Sequence, residues 1–172
     1  AANLTRVLEL ARQHNALYAA LGLHPIVIER HTEDDIDRLD SLLRAGERKL
    51  IAVGEIGLDL YREDPHFERQ QAILDAQLKL AKRHALPAIL HSRRTHDTPA
   101  MHLTRIDLPP KGAVPGFSGR LQQAPRRLHL GSKTGVGGTL TSPRARKTRA
   151  ALPPLPLSPL LLSTDHPASP LH

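Results

Sequence analysis

A chain of 172 residues without cysteine is long enough to bury a core of its own, and it excludes disulfide bonds and thiolate metal sites. The net charge is +7 at neutral pH, and no apolar run approaches the roughly 20 residues that cross a bilayer. We therefore expect one domain over residues 1–172, cytoplasmic by default, in which any strong metal ligands are histidine, aspartate or glutamate.

Apolar periodicity predicts helices and strands in alternation from the start of the chain. Residues 3–15 carry apolar side chains at helical spacing, and the apolar run over residues 17–23 predicts a strand. Thr32 and the acidic residues that follow it indicate a capping box, so a second helix is expected from there to about Gly46.

The same alternation continues through the middle of the chain. Residues 50–53 form a short apolar run that is typical of a buried strand. Asp64 as N-cap and Pro65 at the first helical position predict a helix that continues to Ala81, and residues 88–90 predict the next strand. Alternating strands and helices indicate an α/β fold with a parallel sheet, either doubly wound or closed into a barrel.

The last 64 residues contain eleven of the fifteen prolines, and a proline inside a helix costs roughly 3 kcal/mol. The periodicity is correspondingly weaker there. Further elements are still predicted in alternation, namely helices over 98–104, 120–130 and 143–151 and strands over 112–114, 134–139 and 160–162.

Four polar residues follow apolar runs at corresponding positions of the predicted units: His24, Glu55, His91 and Asp165. In a parallel barrel all four would converge on the rim at the carboxyl ends of the strands. Any one of them alone would more often be structural, but four in register predict a site. Carboxylates and imidazoles suit Mg²⁺, Mn²⁺ or Zn²⁺ acting on phosphate oxygens. Other histidines are predicted to face solvent: His66, His84, His102 and His129.

The positive charge is concentrated in the C-terminal part of the chain. Residues 109–172 contain nine basic residues and a single acid, Asp165. A basic surface of this kind suits a polyanionic partner such as nucleic acid. It is equally compatible with a solvated surface, or with compositional drift in a sequence no longer under constraint.

Six segments resemble, in order, the motifs of the TatD family of metal-dependent hydrolases. They are LGLHP (21–25), AVGEIGLD (52–59), LHSRRTHD (90–97), GFSG (116–119), GVGGT (135–139) and LLLSTDHP (160–167). The resemblance implies a TIM-type (β/α) barrel and one or two divalent metal ions. It also implies a deoxyribonuclease-like activity on DNA or another phosphodiester.

The same resemblance implies roles for individual residues. Glu55 matches the metal-bridging glutamate, and His91 matches a histidine ligand. Asp165 matches an aspartate that binds metal and helps activate water, so Glu55 and Asp165 are the expected catalytic residues. The other matching positions are a supporting histidine of the rim, His24, and two basic residues near the substrate phosphate, Arg93 and Arg94.

Three departures from the family pattern predict an incomplete site. The family's His-x-His pair would lie on a strand before Ala1, Pro115 stands where a histidine ligand is expected, and Ser163 stands where a glutamate is usual. The first two strands and the C-terminal helix are also expected to be missing, which makes an incomplete TIM-type barrel the predicted fold.

These departures leave three functional hypotheses open. The first is a metal-dependent phosphodiester hydrolase, active or impaired, in which Glu55, His91 and Asp165 hold the metal and basic residues position the strand. The second is a catalytically inactive remnant that binds nucleic acid through its basic C-terminal half. The third is an amidohydrolase-like enzyme that cuts amide or ester bonds with the same metal chemistry.

Overall fold

The computed structural model divides the chain into two compact units, Ala1–Pro109 and Pro110–His172. The structure describes residues 2–61, 63–95, 106, 113–114, 133–137, 146–151, 157–158 and 160–164. Several predicted features lie outside the described residues: the helices over 98–104 and 120–130, Pro115, the GFSG segment and Asp165. The expectations of a single domain and of a barrel without its first two strands stay predictions.

The first unit is built from three parallel strands with helices between them. Its helices are α1 (Ala2–Gln13), α2 (Glu33–Arg44) and α3 (Phe67–Arg83), and its strands are β1 (Ala19–Leu21), β2 (Leu50–Asp59) and β3 (Ala88–Arg93). A short 3₁₀ segment, Pro25–Arg30, follows β1. Because β2 pairs in parallel with both β1 and β3, the carboxyl ends of all three strands lie at one edge of the sheet. The predicted α/β class is confirmed.

The second unit also contains parallel strands. They are β4 (Ala113–Val114), β5 (Lys133–Val136) and β6 (Leu160–Leu162), paired in that order, and the unit includes helix α4 (Arg146–Ala151). The three strands predicted for this part of the chain are therefore present, as is the second half of the predicted helix over 143–151. Within the described residues, every helix is too short or too polar to cross a bilayer.

The core of the first unit lies between its sheet and α3. Val53, Ile56 and Leu58 of β2 are fully buried, as are Leu74 and Leu78 of α3. Burying a side chain of this size stabilises the fold by roughly 1.5–3 kcal/mol relative to its exposure. This apolar layer fixes α3 against the strands, so polar groups on the same helix face are held at defined places.

Two predicted boundaries are wrong. β2 does not end at residue 53 but continues to Asp59, because it is paired along both edges. Helix α3 begins at Phe67 and not at Pro65, and Asp64 does not cap it. Oδ1 of Asp64 instead accepts the N–H of His66 at 3.3 Å, and His66 adopts a left-handed backbone with φ 46°. Local side-chain bonds of this kind compete with helix initiation.

His84, predicted to face solvent, is instead largely buried at the end of α3. Its Nε2 lies 2.6 Å from Oδ1 of Asp40 on α2, and the two side chains are 15% and 14% exposed. Oδ2 of Asp40 lies 2.7 Å from Arg44 and 3.2 Å from Arg83. The hydrogen bond from His84, assisted by the charges of the two arginines, lowers the pKa of Asp40 despite the opposing effect of desolvation. The network ties α2 to α3.

We predict that Asp40→Asn lowers the free energy of unfolding by about 1 kcal/mol at neutral pH, since partly exposed ion pairs contribute about 0–1 kcal/mol each. Because the pKa of Asp40 is lowered by folding, this stabilisation is present above the unfolded-chain pKa of about 3.9 and is lost as the pH falls through the folded value. Urea unfolding of the wild type and the variant over this pH range measures the difference.

The control for this prediction is Asp37→Asn, the same change at an exposed position of α2. It should cost less than Asp40→Asn at neutral pH. An Asp40→Asn cost that stays constant down to pH values well below the pKa of a free aspartate would contradict the proposed charge network.

Candidate metal centre

The site begins with the sequence GEIGLD at the carboxyl end of β2. Ile56 and Leu58 are buried in the core, and they alternate along the strand with Glu55, Gly57 and Asp59. Since successive side chains of a strand point to opposite faces, the two carboxylates lie on the face opposite the apolar pair. A single strand thus presents two acids, spaced four residues apart, on one surface.

Gly57 allows the neighbouring strand to approach this surface. It is the register partner of His91 on β3. A Cβ atom at position 57 would lie only 2.0 Å from the carbonyl oxygen of His91, and the glycine has φ +151°. Only glycine fits at this point. The imidazole of His91 therefore lies opposite a residue without a side chain, between Glu55 and Asp59.

His91 contacts both carboxylates. Its Nδ1 lies 3.1 Å from Oε1 of Glu55, and its Nε2 lies 2.9 Å from Oδ2 of Asp59. Asp59 is 1% exposed, whereas Glu55 and His91 are partly exposed. The second carboxylate oxygen of Asp59 accepts the backbone N–H of Tyr61 at 2.9 Å. Asp59 therefore fixes the orientation of the imidazole and the course of the chain that follows β2.

His24 completes the group from the segment after β1. Its Nδ1 accepts the backbone N–H of Ile26 at 3.1 Å, and its Nε2 lies 3.8 Å from Oε2 of Glu55. The rings of His24 and His91 meet edge to face, with centroids 4.4 Å apart. Nε2 of the buried His31 lies 2.9 Å from the carbonyl oxygen of His24, and because a carbonyl only accepts, this nitrogen carries a proton.

The electrostatics shift the pKa values of the two site histidines in opposite directions. Burial acts to lower the pKa of His91, but hydrogen bonds to Glu55 and Asp59 outweigh it and raise the pKa. Burial acts to raise the pKa of Glu55, but the bond from His91 and the charges of both histidines lower it. The pKa of His24 is lowered, first by burial and then by the charge of His91. Protonation is therefore favoured at His91 over His24.

The residues present fit a divalent metal ion. One ligand atom from each of His24, Glu55 and His91 lies within 4.8 Å of the others. Nitrogen and oxygen ligands without sulfur suit Zn²⁺, Mn²⁺ or Mg²⁺. A histidine ligand commonly donates its second N–H to a carboxylate, as Nε2 of His91 is placed to do toward Asp59, which leaves Nδ1 facing Glu55.

His24 fits the supporting role better than the role of a ligand. Since its Nδ1 accepts a backbone N–H, the neutral ring carries its proton on Nε2, the atom that faces Glu55. Ligation through Nε2 would require that proton to move to Nδ1 and the bond from Ile26 to be lost. The present geometry is that of a donor directed at the second oxygen of Glu55.

The structure brings together three of the four predicted rim residues. Glu55 and His91 lie within β2 and β3 and not after them, and His24 lies shortly after β1. Asp165 is outside the described residues, so its place in the site stays a prediction. Asp59 was not predicted. The available signal was its position four residues after Glu55, on the same face of an otherwise apolar strand.

Arg93 and Arg94 lie beside the exposed ring of Tyr61. Their guanidinium carbons are 3.6 Å and 4.5 Å from the ring centroid, and Tyr61 is 52% exposed. The carbonyl oxygen of Arg93 accepts the N–H of Leu60 at 2.9 Å, which holds the two segments together. No carboxylate of the described residues pairs with either arginine. We call Tyr61, Arg93 and Arg94 the tyrosine–arginine cluster.

Comparisons with a family model and with known proteins point to the same family. The family model described as "TatD related DNase" matches residues 1–171. The chain is 59% identical, over all of its length, to the uncharacterized metal-dependent hydrolase YjjV of Escherichia coli (strain K12), of which it covers 66%. It is 34% identical over 163 residues to the 3'-5' ssDNA/RNA exonuclease TatD of Cronobacter sakazakii, covering 91% of this chain and 60% of that protein.

The crystal structure of the Escherichia coli YjjV protein is similar to this structure, with a TM-score of 0.96 over 100% of this chain and 66% of that chain. The chain therefore spans somewhat less than two thirds of the length of these relatives. The family and its solved structures imply a TIM-barrel-like fold, and the parallel strand–helix units of both parts of the chain agree with it.

We predict that Asp59→Asn moves the proton of His91 from Nε2 to Nδ1. The carboxylate of Asp59 faces two donors, Nε2 of His91 and the N–H of Tyr61. An asparagine has one side-chain oxygen, which can accept from only one of them. If it keeps the N–H of Tyr61, its NH₂ group faces Nε2 and requires that nitrogen to be unprotonated. The proton would then occupy Nδ1, the atom that faces Glu55, and Zn²⁺ affinity should fall about 10-fold to 100-fold.

Imidazole ¹⁵N NMR above the pKa of His91 reports the tautomer, and competition with a chelating dye reports Zn²⁺ affinity. Asp37→Asn, the same change far from the site, should alter neither. An Asp59→Asn variant that retains the wild-type tautomer would contradict the role assigned to the carboxylate.

Proposed function

The chain belongs to the TatD family of metal-dependent hydrolases, and from that premise we propose that it hydrolyses phosphodiester bonds of DNA at the centre formed by Glu55 and His91. The observation that carries the proposal is the convergence of His24, Glu55 and His91, from three separate segments, to within 4.8 Å. We further propose that the protein acts in the cytoplasm.

The proposed chemistry divides between the metal and the side chains. A bound Mg²⁺, Mn²⁺ or Zn²⁺ ion supplies a Lewis acid for a phosphate oxygen and makes a nearby water more acidic. Oε1 of Glu55 and Nδ1 of His91 are the described atoms that would hold one ion. Asp59 keeps Nδ1 of His91 turned toward that point, and His24 directs its Nε2 proton at the second oxygen of Glu55.

Asp165 is proposed to bind metal and to accept the proton of the attacking water. This assignment rests on its match to the family motif LLLSTDHP. In the proposed reaction, water attacks phosphorus and the carboxylate takes the proton that the water loses. The bond to the leaving oxygen breaks, and that oxygen departs with the electron pair and takes a proton from solvent. Glu55 and Asp165 are thus the proposed catalytic residues, and a second metal ion would need Asp165 or further ligands beyond the described residues.

The tyrosine–arginine cluster supports a phosphate-bearing substrate. Two guanidinium groups without a described carboxylate partner converge on one ring, so positive charge is concentrated next to Asp59 and the metal centre. Guanidinium groups bind phosphate through paired N–H donors, and an exposed tyrosine ring can stack on a base. We propose that Arg93 and Arg94 bind the phosphate beside the scissile bond, which favours a nucleic-acid strand over other substrates of metal-dependent hydrolases.

The competing proposal is an inactive nucleic-acid-binding protein. Pro115, at a position where the family motif has a histidine ligand, and Ser163, where the motif usually has a glutamate, favour it, together with the nine basic residues after position 108. The two proposals differ in their response to a chelator, because binding by basic residues alone depends on salt and not on divalent metal.

We predict that Glu55→Gln reduces hydrolysis of a 5'-labelled single-stranded oligonucleotide by at least about 100-fold. Loss of a partner that only orients a ligand costs about 10-fold to 100-fold, so loss of the ligand itself should cost at least the upper value. Gel analysis of the cleavage products in Mn²⁺ measures the rate, and Glu9→Gln, on the exposed face of α1, is the matched control.

Equal cleavage by wild type and Glu55→Gln would contradict the proposal and indicate a contaminating nuclease. A wild-type protein that binds the oligonucleotide in EDTA but cleaves it in none of the three metals would establish the inactive binding protein instead.

We also predict that Arg94→Met weakens binding of a single-stranded oligonucleotide and makes that binding less sensitive to salt. Each phosphate contact on a single strand contributes about 0.7 to the slope of log affinity against log salt. Fluorescence anisotropy in EDTA at several salt concentrations should therefore show a slope smaller by about 0.7. The control is Arg48→Met, which removes the same charge from an exposed position. Arg48 precedes β2, at the end of the strand away from Glu55 and Asp59, so its loss should leave the slope unchanged. Equal slopes for Arg94→Met and wild type would remove Arg94 from the phosphate site.

A further inference from the structure

Two glutamines are buried on the inner face of α3. Gln70 is 1% exposed and Gln77 is 0% exposed, and they lie seven residues apart, which places them on the same side of the helix. Leu74, between them on that face, is also buried. Burying an amide side chain costs free energy unless its polar atoms are hydrogen-bonded, so the partners of these two residues explain why they are there.

Gln70 binds the backbone of Asp59 at both polar groups. Its Oε1 accepts the Asp59 N–H at 2.7 Å, and its Nε2 donates to the Asp59 carbonyl oxygen at 2.9 Å. The same Nε2 donates to the carbonyl oxygen of Pro65 at 2.5 Å. The amide group therefore pairs with the last residue of β2 as the backbone of a neighbouring strand would.

Gln77 makes the same two bonds with a different residue. Its Oε1 accepts the N–H of Leu23 at 2.6 Å, and its Nε2 donates to the Leu23 carbonyl oxygen at 3.3 Å. Leu23 lies beyond the last residue of β1 and directly before His24. Both glutamines thus continue the backbone pairing of the sheet at points where site residues are attached.

We propose that Gln70 and Gln77 are positioning residues of the metal centre, Gln70 acting through Asp59 on His91 and Gln77 acting through Leu23 on His24. The expected effect on metal affinity rests on the proposed function, whereas the expected effect on the positions of His91 and His24 does not. A glutamine that served only the fold could pair with any buried backbone group along β1 or β2. These two are paired, at both amide groups, with Asp59 and with the neighbour of His24.

A shift of the backbone also moves the side chain that is attached to it. The carboxylate of Asp59 lies 2.9 Å from His91, so a small shift of its backbone changes the direction of the imidazole. His24 depends in the same way on the peptide that follows Leu23. Misplacement of about 1 Å in a reacting group can cost about 100-fold in rate, so bonds far from the substrate can still matter for the chemistry.

The test compares Gln70→Met and Gln77→Met, which keep side-chain length and remove every hydrogen bond of the amide group. Leu74→Met, on the same helix face between them, is the matched control. In the metal-free protein, imidazole ¹⁵N and ¹³C resonances should shift most at His91 for Gln70→Met and most at His24 for Gln77→Met. General loosening of the helix would instead shift both rings alike in both variants, and that result, or no shift at all, would overturn the proposal.

A second measurement uses Zn²⁺ alone as the probe. Affinity should fall about 10-fold to 100-fold in Gln70→Met, the range for loss of an outer partner of a metal ligand, and by less than 3-fold in Leu74→Met. Equal losses in the two variants would overturn the metal-binding consequence. A wild-type protein that binds no Zn²⁺, Mn²⁺ or Mg²⁺ would contradict the proposed function, while the metal-free NMR comparison would still decide the positioning roles.

If Gln70→Met or Gln77→Met fails to fold, the glutamate variant at the same position, Gln70→Glu or Gln77→Glu, replaces it. A glutamate keeps the acceptor for the Leu23 N–H and, when protonated, also the donor to the Leu23 carbonyl oxygen. His24 resonances in Gln77→Glu should therefore stay closer to those of the wild type than in any variant that lacks both groups. If the resonances of His24 and His91 shift equally in Gln77→Glu, that result would count against the proposal.

Discussion

The geometry of the candidate site depends on the buried carboxylate of Asp59. A carboxylate that is 1% exposed persists only if it is paired and hydrogen-bonded, because an isolated buried ion costs several kcal/mol. Its two oxygens face His91 and the N–H of Tyr61, both at 2.9 Å, and Gln70 holds its backbone. Since Asp59 cannot move without losing these partners, the imidazole of His91 is fixed before any metal binds. The contact of Nε2 with Asp59, and not a metal, therefore directs Nδ1 toward Glu55.

Sequence patterns located Glu55 and His91 because both follow apolar runs, and such runs mark buried strands. They failed on the length of β2, whose last six residues contain two glycines and two acids, residue types that are disfavoured in strands. Pairing with β1 and β3 outweighs that preference. The register of β2 against β3 shifts between Val53 and Ile56, and a bulge of this kind redirects nearby side chains. Neither effect can be predicted from one strand considered alone.

Gln70 and Gln77 show a different limit of sequence reasoning. A polar residue on a helix is ordinarily interpreted as solvent-facing, as was His84, although these glutamines share a helix face with the apolar Leu74. Their burial becomes understandable only when the strand ends opposite them are known to present unpaired backbone groups. The same reasoning applies to Asp59: it lies within the motif AVGEIGLD, but its role follows from the distance to His91, a residue 32 positions away.

Charge balance in the described part of the chain favours one divalent ion over two. Glu55 supplies one negative charge at the ligand position, and Asp59 supplies a second through His91, so a single divalent cation would be neutralised. Because His91 and Glu55 would bind a metal only in their deprotonated forms, the cation would take the place of any proton shared by Nδ1 of His91 and Oε1 of Glu55. A second cation within about 4 Å would repel the first, since like charges at that separation are unfavourable even at an effective dielectric constant near 20. Two ions therefore require at least one more carboxylate, and Asp165 is the only acid that the sequence offers after residue 108.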